Sequence, residues 1–291
     1  MHTRMKGIIA SALGMCLGAM AVAQTQSAPS GPPKVLVIIR EVVKLGQGPA
    51  HEKWEAGWPQ AFAKVNWPVH YLAMTSLTGE PRALFLVGYE SEEAWEKDNL
   101  AQRKNTALTT QLQALAAKDA DFLKESRTGV FTYMPELSYN AAVEVATMRY
   151  FRIVAIQVKP GHGEHFVAVR KLVREAHEKA GMKDHFAVYH LNQGGPDGLY
   201  LFILPMKSLA EDDQFDSMHG AAYKAALGED GQKKLADFGM QGEESVESQI
   251  FEFSPKMSYP SKEWIAADPA FWTPKAAPAG KPPAEKPAPK K

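Results

Sequence analysis

The chain has 291 residues, with 33 basic and 33 acidic side chains and a single cysteine, Cys16. A balanced charge does not favour the basic surface that nucleic-acid binding requires, so we expect no nucleic-acid partner. One cysteine excludes an intramolecular disulfide and a cysteine-based zinc or iron–sulfur site.

The N-terminal segment predicts export. Arg4 and Lys6 precede an apolar stretch that ends in Ala-Val-Ala at position 23, the small-x-small pattern that signal peptidase cleaves. We therefore expect residues 1–23 to be a signal peptide and residues 24–33 a linker. The mature chain is then periplasmic or secreted, has no membrane span after cleavage, and lacks Cys16.

Residues 34–142 form a first unit with the element order β-α-β-β-α-β. Apolar alternation and turn residues predict strands at 35–43, 69–77, 83–89 and 128–133. An apolar stripe predicts a helix over 51–65, which Pro59 is expected to kink. A second long helical stretch begins after Ser91, whose side chain can cap it.

Residues 147–260 repeat the same order. The pattern predicts strands at 150–158, 186–192, 199–204 and 246–253. Helices are predicted at 165–180, with Gly181 as the stop, and from 208 to about 238, with a break near Gly228.

Two landmarks show that the second unit is a copy of the first. The segment Phe131–Tyr139 returns as Phe251–Tyr259, 120 positions later. Lys44-Leu-Gly-Gln-Gly returns as Lys159-Pro-Gly-His-Gly, 115 positions later. Each unit would cover one sheet face with helices and leave the other apolar face bare. The predicted fold is therefore α+β, with two tandem ferredoxin-like units packed sheet to sheet as an intramolecular α/β barrel.

Residues 261–291 form a C-terminal extension. Trp264 and Trp272 are expected to pin its first part onto the body, because exposed tryptophan pairs are uncommon without a partner. From about residue 274 the chain is rich in Pro, Ala and Lys, and we expect this part to be disordered.

Two stretches of the second unit resemble the dimeric α/β barrel superfamily, in particular its antibiotic-biosynthesis-monooxygenase-like branch. Val158-Lys-Pro-Gly-His-Gly-Glu-His-Phe166 is similar to that branch's entry into the first helix, and residues 204–219 are similar to its third strand and second helix. The superfamily contains cofactor-free monooxygenases, haem-binding and haem-degrading enzymes, isomerases, and members without an established activity. The resemblance therefore implies a fold and no single reaction.

The resemblance singles out His219. In haem-degrading relatives a histidine at a similar place on the second helix is the iron ligand, and a neutral imidazole suits iron. The alternatives are a contact with another ligand, or a histidine on the helix surface or cleft edge. Haem is the cofactor that this comparison implies; no other is expected.

Four strand residues form a more polar set: Tyr71, Thr75, His190 and Asn192. If their faces turn into the barrel, they supply hydrogen-bonding groups in a largely apolar lumen, which suits a small apolar or aromatic molecule. Otherwise they face solvent or form a polar layer between sheets.

No catalytic step can be assigned from these residues. No Walker loop, Rossmann fingerprint, Gly-x-Ser-x-Gly or His-Glu-x-x-His motif occurs, and His162, Glu164 and His165 are poorly spaced for a metal site. The sequence predicts an exported small-ligand-binding protein, monomeric or homodimeric, without a protein metal site. The alternative is a monooxygenase-like or haem-handling enzyme that uses His219.

Overall fold

In the computed structural model, which describes residues 31–215 and 220–273, eight antiparallel strands close into one barrel in the order β1-β3-β2-β8-β5-β7-β6-β4. The strands have these bounds: β1 Val35–Val43, β2 Tyr71–Ser76, β3 Arg82–Tyr89, β4 Leu123–Tyr133, β5 Tyr150–Val158, β6 Ala187–Gln193, β7 Leu199–Met206 and β8 Glu243–Phe253. The helices have these bounds: α1 Gly48–Glu55, α2 Gly57–Lys64, α3 Glu92–Lys104, α4 Thr106–Asp119, α5 Gly163–Ala180, α6 Asp212–Phe215, α7 Ala221–Gln241, α8 Lys262–Ala267 and α9 Pro269–Trp272.

Each unit contributes four adjacent strands, and the two units share one interior. Unit 1 supplies β4-β1-β3-β2 and unit 2 supplies β8-β5-β7-β6, with junctions at β2–β8 and β6–β4. Leu36 and Met74 of unit 1 lie in the same buried apolar cluster as Ile203 and Phe253 of unit 2. The predicted intramolecular barrel is confirmed, and apolar side chains fill its interior.

The helix breaks differ from those expected. The first helical stretch divides at Ala56, between α1 and α2, and Pro59 lies in the first turn of α2, where proline is tolerated. The second stretch divides at Asn105, whose side chain accepts a hydrogen bond from Leu108 N at 3.1 Å and so caps α4. Gly228 does interrupt α7, as predicted.

The glycine landmark forms the same turn in both units. Gly46 and Gly161 have φ angles of +79° and +82°, a left-handed conformation that favours glycine. The next glycine, Gly48 or Gly163, begins α1 or α5. This turn sends the chain from the end of a strand onto the outer face of the barrel.

The longer landmark contains a crossing arm, a segment that pairs with the other unit. It spans residues 134–139 at the end of unit 1 and residues 254–259 at the end of unit 2. Tyr259 exchanges two backbone hydrogen bonds with Tyr71, at 3.0 and 3.1 Å, and Tyr139 does the same with Phe186, at 2.8 and 3.0 Å. The repeated segment is therefore an inter-unit clasp.

A buried serine in each arm gives a test of this clasp. Ser258 Oγ accepts a hydrogen bond from Ala73 N at 2.8 Å, and Ser138 Oγ accepts one from Val188 N at 2.9 Å. Because Ser258→Ala leaves a buried N–H without its partner, we expect it to lower the free energy of unfolding by about 1–3 kcal/mol in urea titrations. Ser138→Ala should do the same, whereas the exposed Ser126→Ala should change stability by less than about 0.5 kcal/mol. Equal stability of all three variants would rule out the clasp.

The C-terminal extension packs against the barrel interior, as the two tryptophans predict. Trp272 lies in the interior cluster and donates from Nε1 to the Ala146 carbonyl at 2.8 Å. Arg149 forms an ion pair with Asp268 and lies 4.0 Å from the centre of the Phe271 ring. Among the described residues, no helix combines the length and apolarity that crossing a bilayer requires.

Candidate metal centre

Four ionisable side chains meet between the barrel and the helices of unit 1. Glu41, His51, Glu55 and Asp119, called here the acid cluster, each place one ligand atom within 4.8 Å of all the others. Their side chains come from β1, from α1 and from the end of α4. The first unit thus buries three carboxyl groups and an imidazole at one point.

Local structure explains how these residues meet. Glu41 lies near the end of β1 on the outward face, and the glycine turn after Val43 places α1 directly above it. His51 and Glu55 are four residues apart and so share one face of α1. Asp119 is the last residue of α4, and the following Phe122 carbonyl accepts a hydrogen bond from Lys44 N at 2.9 Å, which ties this helix end to β1.

The acid cluster is almost completely enclosed. The exposed fractions are 8% for Glu41, 1% for His51, 3% for Glu55 and 3% for Asp119. His51 Nε2 lies 3.0 Å from Glu41 Oε2 and 3.6 Å from Asp119 Oδ1. One imidazole nitrogen therefore faces two carboxyl groups inside the protein.

Burial and mutual repulsion raise the proton affinity of two of the acids. Burial, followed by the charges of Asp119 and Glu41, raises the pKa of Glu55 to about 9. Burial and the charge of Glu41 raise the pKa of Asp119 to about 6, while His51 acts in the opposite direction. Glu55 therefore holds its proton at neutral pH as long as no cation lies beside it.

Two buried polar atoms at the acid cluster, Asp119 Oδ1 and Tyr71 Oη, have no hydrogen-bond partner within normal distance and angle among the described residues. Trp58 acts on Glu55 by lowering its pKa, and the charge of Glu55, after burial, raises the pKa of Tyr71 well above its ordinary value. Both side chains therefore lie close to Glu55. A buried carboxylate oxygen without a partner is costly, and Asp119 Oδ1 is an atom that a bound cation would satisfy.

The duplication identifies the corresponding positions in unit 2. Both first strands contain an irregularity at the same point, between Val42 and Val43 and between Gln157 and Val158. Together with the matching helix starts at Gly48 and Gly163, this fixes a constant offset of 115 positions.

At this place unit 2 has apolar side chains and one largely buried ion pair, in which Arg170 Nη2 lies 3.0 Å from Glu243 Oε1. Ile156 stands in place of Glu41, Phe166 in place of His51 and Arg170 in place of Glu55. Phe166 is fully buried and packs on Phe238, with ring centres 5.7 Å apart. Phe238 precedes Gly239, which stands in place of Asp119 at the offset of 120 positions that relates β4 to β8. The fold therefore forms without these acids, and their presence in unit 1 needs a separate reason.

The arrangement suits a divalent transition-metal ion. Three carboxyl groups and one imidazole are ligands of Mn²⁺, Fe²⁺ and Zn²⁺. Opposite ligands of an octahedral ion with bonds of about 2.1–2.3 Å lie about 4.2–4.6 Å apart, so the upper limit of 4.8 Å between ligand atoms is close to what such an ion allows. From the sequence we predicted no protein metal site, so this arrangement was not anticipated.

The structure places the four polar strand residues on the outer face of the barrel. Leu72 and Met74 of β2, and Tyr189 and Leu191 of β6, point into the interior cluster instead. The outer-facing residues are Tyr71, Thr75, His190 and Asn192. The lumen-facing alternative is therefore incorrect in this structure, and a ligand-binding role for these residues stays a prediction.

Only one of those four residues lies near the acid cluster. Tyr71 reaches the neighbourhood of Glu55, whereas His190 packs on Tyr200 with ring centres 4.6 Å apart, in unit 2. Asn192 donates a hydrogen bond to Thr132 Oγ1. His219 lies outside the described residues.

Sequence reasoning missed Glu41, His51, Glu55 and Asp119. The duplication held the signal, because aligning the two glycine landmarks sets His51 against Phe166 and Glu55 against Arg170. A buried aromatic position that is a histidine in one copy is a pointer to chemistry in that copy.

Comparisons with known proteins support the fold. No family model and no curated protein sequence matches the chain. A candidate monooxygenase from Fusobacterium nucleatum superposes with a TM-score of 0.51 and 12% identity, over 76% of this chain and 93% of that one. An anthrone oxidase-like protein gives a TM-score of 0.49 and 9% identity, over 80% and 96%. A chlorite dismutase variant from Candidatus Nitrospira defluvii gives a TM-score of 0.45 and 10% identity, over 81% of this chain and 95% of that one. The chain therefore shares its fold with the Fusobacterium nucleatum protein, and in this chain both halves of the barrel lie on one polypeptide.

Proposed function

We propose that this protein binds one divalent first-row transition-metal ion in the acid cluster of unit 1. The observation that carries the proposal is the enclosure of Glu41, His51, Glu55 and Asp119, with ligand atoms within 4.8 Å of one another, at a place where the second unit has apolar side chains and a single Arg170–Glu243 ion pair. Buried charges are normally paired or bound to a metal. The ligand of the predicted small-ligand-binding protein is then an ion.

The donor set selects the kind of ion. Carboxylate oxygens suit Mn²⁺, Mg²⁺ and Ca²⁺, whereas imidazole suits Fe²⁺ and Zn²⁺ and is a weak ligand for Mg²⁺ and Ca²⁺. A site with both ligand types favours Mn²⁺, Fe²⁺ or Zn²⁺. Glu55 has to lose its proton when the ion enters, so binding releases at least one proton.

The proposal is tested by measuring binding directly. The mature chain, stripped with a chelator, should take up one equivalent of Mn²⁺ or Zn²⁺ in isothermal titration calorimetry, with the metal content checked by mass spectrometry. Mg²⁺ and Ca²⁺ at the same concentrations should bind at least ~10-fold more weakly. Absence of a one-to-one complex with any of the transition metals would refute the proposed function.

Other parts of the sequence-based account stay proposals. Residues 1–23, on which export to the periplasm or the medium rests, lie outside the described residues, as does His219, on which the haem alternative rests. The monooxygenase-like alternative is supported by the fold alone, and a fold does not choose a reaction.

A further inference from the structure

We infer that the bound ion is what docks helix α1 onto the barrel, so that unit 1 becomes fully ordered only in the loaded protein. This inference rests on the proposed metal site. It assigns the ion a structural and regulatory role: metal availability sets the state of the outer layer of unit 1.

Helix α1 lacks the usual apolar anchor. In this helix, which the structure describes completely, the buried side chains are His51 and Glu55, both members of the acid cluster. Trp54, which is half-buried, donates from Nε1 to the Leu115 carbonyl at 2.9 Å, and the exposed ion pair of Glu52 with Lys256 measures 3.4 Å. Burial of apolar surface, which holds most helices in place, contributes little here.

The helix has little stability of its own. It is eight residues long, and its N-terminal cap, Gln47, makes no side-chain hydrogen bond to it. Isolated helices shorter than about 12–15 residues are marginal in water. Without a cation, docking α1 forms the His51–Glu41 hydrogen bond at 3.0 Å but brings Glu55 beside two further acids.

The corresponding helix of unit 2 shows the ordinary arrangement. Helix α5 has 18 residues and buries an apolar stripe that includes Phe166, Val169 and Val173. Its partner helix α7 adds Phe238 to the same cluster. Unit 2 therefore has its own reason to fold, and a metal ion should leave it unchanged.

Enclosure of the site leads to the same conclusion. An ion cannot reach ligands that are 1–8% exposed unless part of the wall opens. Helix α1 supplies two of the four ligands and is the most weakly anchored part of that wall. Its displacement opens the site, and an ion bound to all four ligands then holds it closed.

Hydrogen exchange followed by mass spectrometry tests the inference on the full mature chain, stripped with a chelator and then loaded with Mn²⁺. At a free Mn²⁺ concentration 100 times the dissociation constant, amides of α1 should exchange about 100-fold more slowly than in the stripped protein. Amides of α5, the matched helix of unit 2, should not change.

Two variants sharpen the result. Glu55→Gln removes a ligand without adding charge, and the exchange of its α1 amides should not respond to Mn²⁺. His51→Phe copies the residue of unit 2, and its α1 should exchange slowly without metal and show no response to it. One-to-one Mn²⁺ binding with unchanged α1 exchange, or equal slowing in α1 and α5, would overturn this inference and leave the metal site intact. No Mn²⁺ binding at all would overturn the proposed function itself.

Discussion

Replacement of Glu55 by glutamine should stabilise the docked form of α1 in the metal-free protein, where Glu55 is buried, by roughly 3 kcal/mol at pH 7. The Glu55 pKa is about 9 in the folded chain and 4.5 for an ordinary glutamate, so between these values the folded state holds a proton that the unfolded state has lost. Wild-type stability therefore falls as pH rises from about 4.5 to 9. Glutamine has no proton to lose and escapes this penalty.

The measurement is urea unfolding in chelator at pH 5, 7 and 8.5. The advantage of Glu55→Gln over wild type should be about 1 kcal/mol or less at pH 5 and should grow with pH. Glu52→Gln, on the same helix but partly exposed, should differ from wild type by less than about 1 kcal/mol throughout. A Glu55→Gln variant that is destabilised equally at all three pH values would show that Glu55 is ionised and paired in the folded chain.

Removal of one ligand should weaken metal binding strongly while the protein stays folded. His51→Ala and Asp119→Asn each delete a donor from a site of four. We expect each to weaken Mn²⁺ or Zn²⁺ binding by more than ~100-fold, which is the upper end of the loss when a residue that only supports a ligand is replaced. Calorimetric titration of the stripped variants gives the affinity. Circular dichroism confirms that each variant is folded.

Unit 2 offers a matched control for this loss. His177 Nε2 lies 3.9 Å from Asp184 Oδ2 in a buried site, but no further acid joins them within the described part of the chain to make a cluster of three. Asp184→Asn should therefore leave metal affinity within about twofold of wild type, since it lies outside the ligand set. If Asp184→Asn weakens binding as much as Asp119→Asn does, the metal is bound elsewhere or at both places.

Much of the fold could be predicted from the sequence, because its signals are periodic and repeated. The strands β1 and β5, the stop at Gly181 and the two-copy architecture all follow from alternation, turn residues and landmarks at near-constant offset. The direction of the strand faces could not be predicted in this way. Val188 on the outer face and Tyr189 on the inner face of β6 are 0% and 2% exposed, so both faces are buried and alternation does not separate inside from outside.

The candidate site was hidden for a different reason. Glu41, His51, Glu55 and Asp119 lie on three elements, and each has an unremarkable explanation when considered alone. They are recognised as a site only from their proximity in the structure, their enclosure, and the contrast with Phe166 and Arg170 of unit 2. When a chain contains two copies of a unit, the positions at which one copy exchanges core residues for acids are the informative ones.

The most direct test of the metal site is anomalous diffraction from crystals of the Mn²⁺-loaded protein. We expect one strong anomalous peak in unit 1, at about 2.0–2.4 Å from oxygen atoms of Glu41, Glu55 and Asp119 and from His51 Nε2. Crystals that take up Mn²⁺ elsewhere, with no anomalous density between these four side chains, would contradict it.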